Sequence, residues 1–373
     1  MHRREQTVLG VLLVQQRHTQ HRLFRPMRYI RKTHRRKQAV LGNVQQRHFR
    51  PLSNQEVSVT EKALMPEIVV VGSCNMDIYA YAAHLPEPGE TVVGNRYWMG
   101  MGGKGANQAV GARRLGASVT MVGRVGDDMF GQRMLETLRG HGVACDTIRV
   151  DRESGSGVAL VVVDQQAENV IVVIPGANMR VTPDDVDAAS ERLRAADVLL
   201  MQLEIPLEVV AHALDVARQG RTLCLLNPAP ARALPDSILR KVHLLTPNQN
   251  EARVLTGIPT DTLEGARAAG QALLARGVPA VIITLGAQGA LLVQPERCLH
   301  LPGVAVEALD TSGAGDAFMA GLAVALGEGK SFEEAIRFAN LAGALATTRP
   351  GAMPSMPSRA EVEALAGRQS RGN

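Results

Sequence analysis

The residue types best suited to chemistry in this 373-residue sequence lie together at 310–318, which reads DTSGAGDAF. Small residues there lead into an apolar run that predicts a helix. The first turn of a helix carries N–H groups without intrahelical partners, and its dipole favours an anion in front of it. The amides of Gly313, Ala314 and Gly315 could therefore hold a transferring phosphoryl group while Asp316 accepts a proton from an attacking hydroxyl. Asp is also a common helix cap, so a purely structural loop is the alternative.

A second polar cluster follows the first predicted strand. It comprises Asn75 and Asp77, on either side of Met76, and the segment 102–107, GGKGAN. Ligands bind at strand ends in open α/β sheets, and Asn and Asp side chains suit the hydroxyl groups of a sugar. The glycines allow close approach to the backbone before a helix predicted to begin at Ala106. The pattern predicts a sugar site, with a tight loop that binds nothing as the alternative.

Two familiar glycine motifs do not fit this segment. Residues 100–105 match G-x-G-x-x-G, but a dinucleotide fingerprint directly follows the first strand, and here a lid strand is expected in between. Lys104 is followed by Gly105 rather than by Ser or Thr, so a P-loop is excluded.

Two acidic residues stand at the ends of predicted strands. Glu204 closes the run MQLE at 201–204, and Glu251 closes NQNE at 248–251. A carboxylate at position 251 could hold Mg²⁺, directly or through water, against nucleotide phosphates. The alternatives are a surface carboxylate for Glu204 and a favourable contact with a helix dipole for Glu251.

The elements that must position these residues alternate between strand and helix signals. Short apolar, β-branched runs are separated by helix-length amphipathic stretches, which is typical of a parallel sheet with helices on both faces. Segments 78–99 and 158–174 have β-type patterns with no helix inside them, which predicts an antiparallel patch that could serve as a lid. Strands are predicted at 68–73, 119–122, 198–203, 223–226, 242–246 and 281–285, and the apolar helix after the catalytic segment at 317–325.

Composition excludes several classes of protein. Apolar residues make up 45% and charged residues 21% of the chain, which is usual for a globular protein and unlike a disordered or collagen-like one. No uncharged run approaches the ~18 apolar residues of a membrane span, so no membrane association is expected. The four cysteines lie far apart without a C-x-x-C pair, which favours reduced thiols in a cytoplasmic protein over a zinc site or a disulfide framework.

The charge divides the chain into two parts. The chain has 41 Lys and Arg residues and 36 Asp and Glu residues. The first 60 residues hold 13 of the basic and 2 of the acidic ones, so the rest of the chain has 28 basic and 34 acidic residues. The later part is mildly acidic, which suits a small-molecule enzyme better than a nucleic-acid binder. The basic part repeats itself, since 6–18 is echoed by 38–48.

Three interpretations of the basic extension, 1–65, stay open. It could be translated from a start codon placed too early, with Met65 as the working start, or be a transit peptide, or be a disordered basic arm for RNA or anionic lipid. The expected boundaries are 1–65 for the extension, 66–366 for the folded domain, about 75–100 and 157–175 for the lid, and 367–373 for a tail.

Five motifs together resemble the ribokinase (PfkB) family of carbohydrate kinases. They occur in the family's order and spacing and cover about 67–365. The motifs are GGKGAN at 102–107, MQLE at 201–204, TPNxxE at 246–251, DTxGAGD at 310–316 and TRPGAMPS at 348–355. The implied fold is α/β: a Rossmann-like, mostly parallel central sheet with helices on both faces and a small antiparallel β lid.

The resemblance implies ATP-dependent phosphorylation of D-ribose at the 5-hydroxyl, giving D-ribose 5-phosphate for ribose catabolism in the cytoplasm. Another sugar or nucleoside kinase of the family is the alternative, although Asn75, Asp77 and Glu204 favour ribose over fructose, deoxyribose or adenosine. A nucleic-acid-binding protein on a kinase scaffold is a further alternative that rests only on the extension, and the intact Asp316 argues against it.

The family's functional residues transfer to this sequence position by position, with Asp316 implied as the catalytic base beside the amides of 313–315. The implied sugar-binding positions are Asn75, Met76, Asp77, Gly103, Lys104, Gly105, Ala106, Asn107, Glu204 and Asp316. The implied ATP-binding positions are Asn248, Thr284, Leu285, Gly286, Ala287, Gln288, Gly289, Gly315, Asp316 and Asn340.

Two metal sites and a partner are implied as well. Glu251 belongs to an Mg²⁺-linked N-x-x-E element, possibly acting through water. A K⁺ site, formed largely by backbone carbonyl groups, maps onto Asp310, Ser312, Ala346, Arg349, Gly351 and Ser355. The lid is implied to form a homodimer interface, and the folded domain is expected to bind neither nucleic acid nor membrane. The extension has no counterpart in the family.

Overall fold

A mostly parallel sheet carries the site. The computed structural model describes residues 65–166 and 168–369. Within them the sheet contains β1 (Glu67–Val71), β4 (Ser118–Gly126), β5 (Ile148–Asp151), β8 (Val198–Met201), β9 (Leu223–Leu226), β10 (Leu244–Leu245), β11 (Val281–Thr284), β12 (Ala290–Gln294) and β13 (Arg297–Leu301). Their order is β13-β12-β11-β10-β9-β8-β1-β4-β5, parallel from β11 to β5, with β12 and β13 forming an antiparallel hairpin at one edge.

Helices cover both faces of this sheet. In β1, Ile68 and Val70 pack into one apolar core, whereas Val69 and Val71 pack into the other. The helices α1, α2, α9, α10 and α11 lie on the first face, and α3 to α8 on the second. Their bounds are α1 (Lys104–Arg114), α2 (Met129–Gly140), α3 (Pro183–Asp187), α4 (Ser190–Ala195), α5 (Leu207–Ala217), α6 (Asp236–Leu239), α7 (Gln249–Thr256), α8 (Leu263–Ala275), α9 (Ala314–Gly327), α10 (Phe332–Ala346) and α11 (Arg359–Gln369).

The predicted strands are all present, β9 with the predicted bounds 223–226 and the others with different bounds. The strand predicted at 242–246 keeps only two ladder residues as β10, and β4 runs four residues further than predicted. Three strands were not predicted: β5, and the β12–β13 hairpin. β5 is four residues long with only its ends buried, and β13 is mostly exposed or half-buried, so neither has the apolar run of a central strand. β12 does have such a run, buried at 290–293, but it turns back into β13 instead of leading into a helix, which breaks the alternation of strand and helix on which the prediction rests.

Both helices of the site begin earlier than predicted, α1 at Lys104 instead of Ala106 and α9 at Ala314 instead of 317. Each is preceded by a glycine with left-handed backbone, Gly103 with φ 85° and Gly313 with φ 76°. Such φ values cost other residues free energy, so glycine lets the chain turn directly from a loop into the helix.

The lid is a separate four-stranded sheet of order β3-β2-β6-β7, formed by β2 (Asn75–Tyr81), β3 (Arg96–Gly102), β6 (Gly157–Val163) and β7 (Asn169–Ile174). Its two hairpins are antiparallel, and β2 pairs with β6 in parallel, which joins two segments of chain that are distant in sequence. Because side chains alternate along a strand, Asn75 and Asp77 share one face, and the opposite face is apolar. That outer face carries Ile78, Met99, Val158, Leu160, Val162, Val170, Val172 and Ile174, whereas Met76, on the same side of β2, is buried in the core.

No helix in 65–166 or 168–369 combines the length and apolar character needed to span a bilayer. The interpretations of residues 1–64 concern a part of the chain outside the described residues. At the other end, α11 extends to Gln369, past the expected boundary at 366.

Candidate active site

The carboxyl ends of the parallel strands meet at one edge of the main sheet, where a cavity of about 220 Å³ opens. Its walls come from the segments after β9, β10 and β11, from α1 and from the start of α9. The lining includes Lys104, Thr246, Asn248, Glu251, Gly315 and Asp316. The topology therefore brings three of the four polar motifs to one place.

Asp316 lies in the first turn of α9 with 7% of its surface exposed. Its Oδ2 accepts a hydrogen bond from Nδ2 of Asn107 at 2.9 Å, and its Oδ1 accepts one from Nε2 of Gln108 at 2.9 Å. Both donors belong to α1, which packs against α9. The two amides hold the plane of the carboxylate and leave lone pairs on both oxygens for the proton of a hydroxyl.

The start of α9 offers space for a ligand. A side chain at Gly313 would meet the backbone of Ala352 at 2.8 Å, whereas nothing lies within 4 Å of the place a β-carbon of Gly315 would take. The first N–H groups of the helix and its dipole face an anion in that space favourably. The space therefore suits the anion-binding role predicted for 313–315.

Residues predicted to bind the sugar converge beside Asp316 from three elements. β2 supplies Asn75 and Asp77, α1 supplies Lys104 and Asn107, and Glu204 follows β8. Oε2 of Glu204 accepts the backbone N–H of Lys104 at 2.9 Å, and Oδ1 of Asn107 is buried without a partner in the described residues. A buried acceptor without a donor is available to a substrate hydroxyl.

Four other members of the predicted sugar set have packed surroundings. The side chains of Met76 and Ala106 are buried in the apolar core. A β-carbon on Gly103 would lie 2.8 Å from the backbone nitrogen of Asn75, and one on Gly105 2.5 Å from that of Ser73. Any contact of these four with a sugar therefore involves their backbone.

Four carboxylates surround one buried lysine. Burial lowers the pKa of Lys104, but the charges of Asp316, Glu204, Glu251 and Asp77 outweigh burial and leave that pKa above its ordinary value. The ammonium group therefore stays charged. The excess of negative charge favours cations and hydroxyl donors in the cavity.

The pKa of Asp77 is strongly raised. Burial and then the charges of Glu204 and Asp316 raise the pKa of Asp77 to about 7, against a smaller opposing effect of Lys104. Without a ligand, Asp77 therefore changes its charge near neutral pH. Hydroxyl groups that donate to the carboxylate favour its ionised form.

Asn75 is held by a residue that the sequence analysis did not single out. Asn178 lies in the 3₁₀ turn Gly176–Arg180, which follows β7, and is 1% exposed. Its Nδ2 donates to Oδ1 of Asn75 at 2.7 Å and to the carbonyl of Cys74 at 3.0 Å, and its Oδ1 accepts the N–H of Cys74. Because Oδ1 of Asn75 is taken, the amide nitrogen of Asn75 is left to donate to a ligand.

Sequence reasoning also missed Ser73 and Gln108. Oγ of Ser73 donates to Oε2 of Glu204 at 2.5 Å and accepts the N–H of Gly105, which ties the sugar loop together. Gln108 lies in α1 and Gln202 directly after β8, and both amides are fully buried. Buried amides need partners, but the burial is visible only in the fold, so no signal in the sequence points to either residue.

The nucleotide side is formed by neighbouring strand ends. Asn248 and Thr284 pair in an isolated parallel bridge, and the predicted ATP segment continues through the turn Gly286–Gln288. Asn340 is buried in α10, does not line the cavity described above, and donates to the backbone carbonyl groups of Leu301 and Pro302 at the end of β13. The side-chain NH₂ group of Asn340 therefore ties α10 to the end of β13.

Glu251 fits a water-mediated role toward Mg²⁺. Its carboxylate accepts the backbone N–H of Asn248 at 2.8 Å and its side-chain amide at 2.9 Å, in a capping box at the start of α7. Burial leaves the pKa of Glu251 above its ordinary value despite the bond from Asn248 and the charge of Lys104. Oγ1 of Thr246, in the same cavity, is buried without a partner in the described residues and could bond a water. These oxygen donors suit Mg²⁺.

The predicted K⁺ loop is closed by Asp310. One carboxylate oxygen accepts the N–H of Ser312 at 2.8 Å and the other accepts that of Gly351 at 2.7 Å. The carbonyl of Thr347 accepts the N–H groups of Leu309 and Asp310, so the two segments are tied together. Burial opposes ionisation, but the bonds from Gly351 and Ser312 leave the pKa of Asp310 below its ordinary value. An ionised carboxylate among backbone carbonyl groups is a suitable oxygen set for a monovalent cation.

Three further residues of that site present no free side chain. Ala346 is buried at the end of α10, Arg349 pairs with Glu361, and Oγ of Ser355 donates to the carbonyl of Ala352. The backbone carbonyl groups of Ala346, Arg349 and Ser355 are what these residues can offer a cation.

The fold and the site together define a class: an α/β phosphotransferase with a β lid over a hydroxyl-bearing substrate. The family model for pfkB family carbohydrate kinases matches residues 65–359. The chain belongs to the PfkB family of carbohydrate kinases, which confirms the family predicted from its motifs.

The relatives that match this chain are sugar kinases as well. The ribokinase of Bacillus subtilis (strain 168) is 42% identical over 301 residues, covering 81% of this chain and 99% of that protein. A deoxyribokinase of Salmonella typhimurium is 38% identical over 293 residues, covering 78% and 96%. The structure of Arabidopsis thaliana ribokinase complexed with ribose and ATP matches with a TM-score of 0.76 at 35% identity, covering 81% of this chain and 99% of that one. The predicted fold is thereby confirmed.

Proposed function

We propose that this protein transfers a phosphoryl group from ATP to the 5-hydroxyl of D-ribose, giving D-ribose 5-phosphate for ribose catabolism. The observation that carries the proposal is Asp316, a buried carboxylate held on both oxygens by amides. It lines the same cavity as Gly315. Helix α1 connects it to the predicted sugar residues, since Asn107 donates to it and Glu204 accepts the N–H of Lys104. The similarity to a ribokinase complexed with ribose and ATP supports the choice of both substrates.

The chain's own residues account for the chemical step. Asp77, Glu204 and Asn107 accept hydrogen bonds from sugar hydroxyls, which places the 5-hydroxyl against Asp316. Asp316 takes the proton while the hydroxyl oxygen attacks the γ-phosphorus, and the bond between that phosphorus and the leaving oxygen of ADP breaks. The amides at the start of α9 hold the charge on the transferring group, so positioning and electrostatics supply most of the acceleration.

Two cations complete the proposal. Mg²⁺, held through water at Glu251, would neutralise the charge of the ATP phosphates. K⁺ between Asp310 and the carbonyl groups of the loop at Gly351 would hold the segment that precedes α9. Gly313 packs against Ala352 of that loop, so an ordered loop keeps the anion-binding amides in place.

The lid serves two further roles in this proposal. Closing over the sugar keeps water from accepting the phosphoryl group. Its apolar outer face joins two copies into a homodimer; every residue of β7 is exposed, and contiguous apolar surface of this kind marks an interaction site. The described cysteines are free thiols, which supports a cytoplasmic location.

A second substrate, 2-deoxy-D-ribose, is favoured by one observation. The deoxyribokinase of Salmonella typhimurium is as similar to this chain as the Haemophilus influenzae ribokinase is, at 38% identity each. ATP-dependent turnover measured over ribose, 2-deoxyribose, fructose and adenosine separates these activities. We expect ribose to have the highest kcat/KM, and a preference for another acceptor would reject ribose as the substrate.

The base is tested by Asp316→Asn. We expect kcat to fall by about 10²–10⁴-fold, the range for losing general-base help, with the fold and ribose binding retained. Calorimetric binding of ribose and the melting temperature serve as controls. Turnover within tenfold of the unmodified enzyme would exclude Asp316 as the base.

A further inference from the structure

The side chain of Gln108 is oriented by a line of hydrogen bonds that starts at the backbone. The carbonyl of Thr246 accepts Nδ2 of Asn227 at 3.0 Å, which leaves Oδ1 of Asn227 as an acceptor. That oxygen accepts Nε2 of Gln108 at 3.3 Å, and the same nitrogen donates to Oδ1 of Asp316 at 2.9 Å. A carbonyl oxygen can only accept a hydrogen bond, so the carbonyl of Thr246 faces the NH₂ group of Asn227. The oxygen of Asn227 then faces the NH₂ group of Gln108.

Gln202 closes the arrangement from the other side. Its Nε2 donates to Oε1 of Gln108 at 2.5 Å, so the oxygen and both N–H groups of Gln108 are engaged. Both glutamines are 0% exposed. Turning the Gln108 amide over would set its oxygen against the oxygens of Asp316 and Asn227. Such unpaired contacts are costly in a buried site, so one orientation is selected. Oε1 of Gln202 has no partner in the described residues, so Gln202 could turn with Gln108, and the acceptors Asp316 and Asn227 are what fix the orientation.

We propose that Gln108 is a positioning residue for Asp316 and that Asn227 sets its orientation; the inference rests on the proposed role of Asp316 as base. Asn107 holds only one carboxylate oxygen. Without Gln108 the carboxylate is free to turn about its Cβ–Cγ bond, and its oxygen loses alignment with the attacking hydroxyl.

The same line connects the base to the nucleotide side of the cavity. Asn227 follows β9 and Thr246 follows β10, and both line the cavity together with Asn248. None of the residues in the line, Thr246, Asn227, Gln108 and Asp316, belongs to the lid strands. The acceptors that orient Gln108 therefore come from the main-sheet side of the cavity and not from the lid strands.

The test is a double-mutant cycle built on Gln108→Met, which removes both donors and keeps nearly the same side-chain length. Since small misplacements of a reacting group cost up to about 100-fold in rate, we expect kcat to fall about 10–100-fold. The KM for ribose should change by less than about threefold, because the sugar contacts are untouched. In an Asp316→Asn background, Gln108→Met should lower kcat by less than about threefold, since the group it positions is gone.

Thr222→Val is the matched control. Oγ1 of Thr222 is buried within hydrogen-bond distance of two backbone carbonyl groups outside the cavity, and its one hydrogen can donate to either. Its loss should lower the melting temperature and leave kcat unchanged in both backgrounds. A loss of stability alone therefore cannot imitate the expected result.

Equal fold-losses from Gln108→Met in the two backgrounds would overturn the positioning role while Asp316 remains the base. Full activity of Asp316→Asn alone would instead reject the proposed base, and the inference with it. If Gln108→Met does not fold, Asn227→Leu tests the same line, because it keeps Gln108 and removes the acceptor that orients it. We expect the same loss of kcat and the same absence of effect in the Asp316→Asn background, and additive losses would reject the inference.

Discussion

Asp77 is a carboxyl group whose charge couples the fold to the substrate. Burial and the neighbouring charges of Glu204 and Asp316 raise the pKa of Asp77 from 3.8 to about 7. A group with a higher pKa in the folded than in the unfolded chain stabilises the fold below its ordinary pKa, and that stability is lost as pH rises from about 4 through about 7. At neutral pH the empty site is therefore less stable than one in which sugar hydroxyls bond the carboxylate.

Ribose binding should therefore depend on pH. Because the ionised form of Asp77 is the better acceptor, we expect the affinity, measured by calorimetry without nucleotide, to rise about tenfold from pH 6 to pH 8. Asp77→Asn should bind ribose weakly and with no dependence on pH in this range. An unmodified enzyme with equal affinities at pH 6 and pH 8 would contradict the role of Asp77.

Among single residues, those that face the ligand are easier to predict from the sequence than those that position the ligand-facing side chains. Asp316, Asn107 and Glu204 lie in motifs whose chemistry is readable. Asn178 could not be found in this way, because it lies 104 positions from Cys74, the residue it fixes, and only the tertiary fold brings them together. Its buried amide gives no local sign of its partner.

The first turn of α9 uses its two glycines differently, and Gly315→Ala tests that difference. Gly315 lies inside the helix with a negative φ, so alanine should hold or raise the melting temperature. Its β-carbon would enter the open space in front of the helix and displace the phosphoryl group. We expect kcat/KM for ATP to fall on the order of 10–100-fold, as for other misplacements of a reacting group.

Gly367→Ala is the matched control for this change. Gly367 lies in α11, where a β-carbon also meets nothing within 4 Å, and it is far along the chain from every motif. It should have a similar effect on stability and none on turnover. If both variants keep full activity, the space at Gly315 is not where the phosphoryl group passes.

The loop that joins Asp310 to Gly351 should make the enzyme respond to K⁺. Replacing Na⁺ by K⁺ at constant ionic strength should raise turnover several-fold, a fraction of the 10²–10³ that loss of one anion-hole donor costs. Asp310→Ala should remove most of that response, because the carboxylate ties the two segments together. Constant ionic strength is required, since screening alone alters ATP binding. Equal activity in Na⁺ and K⁺ would argue against a working cation site.

Among the elements, the buried parallel strands and their order along the chain were predictable, and the edge strands β5 and β13 of the main sheet were not. β1, β8, β9 and β11 are buried on both faces, and each leaves a continuous apolar run in the sequence. β13 is an edge strand with mostly exposed or half-buried residues, so its pattern resembles a loop. The starts of α1 and α9 were misplaced because the glycines before them favour a loop in any local analysis.

At the scale of the whole molecule, the apolar outer face of the lid predicts a homodimer. Val172 is 53% exposed in β7, on the face opposite to Asp77. We expect Val172→Asp to convert a homodimer into monomers, as measured by light scattering after size-exclusion chromatography, because an unpaired charge in an apolar interface is costly.

Val254→Asp is the comparison for that change, since Val254 is similarly exposed, at 46%, but lies on α7 away from the lid. It should leave the dimer intact. A protein that is monomeric before any substitution would rule out the proposed interface.

The family match begins at residue 65 and every functional motif follows it, so we expect residues 1–64 to contribute nothing to catalysis. A chain that begins at Met65 should have the kcat and KM of the full-length protein. Intact-mass measurement of the native protein should find a start near Met65. A native mass for all 373 residues, together with a tenfold loss of activity on truncation, would reject this expectation.

Asn75 and Asp77 are themselves residues of the lid strand β2, so no hinge separates the groups that hold the sugar from the sheet that covers it. Holding the sugar and shutting the lid are therefore one event. A sugar that lacks the hydroxyl donating to Asp77 should leave the lid partly open. Water would then reach the phosphoryl group, and we expect ATP to be hydrolysed without formation of a sugar phosphate. Selectivity would then be measured as the number of ATP molecules consumed per sugar phosphate formed. A poor substrate would give a ratio above one, because part of the ATP is hydrolysed by water.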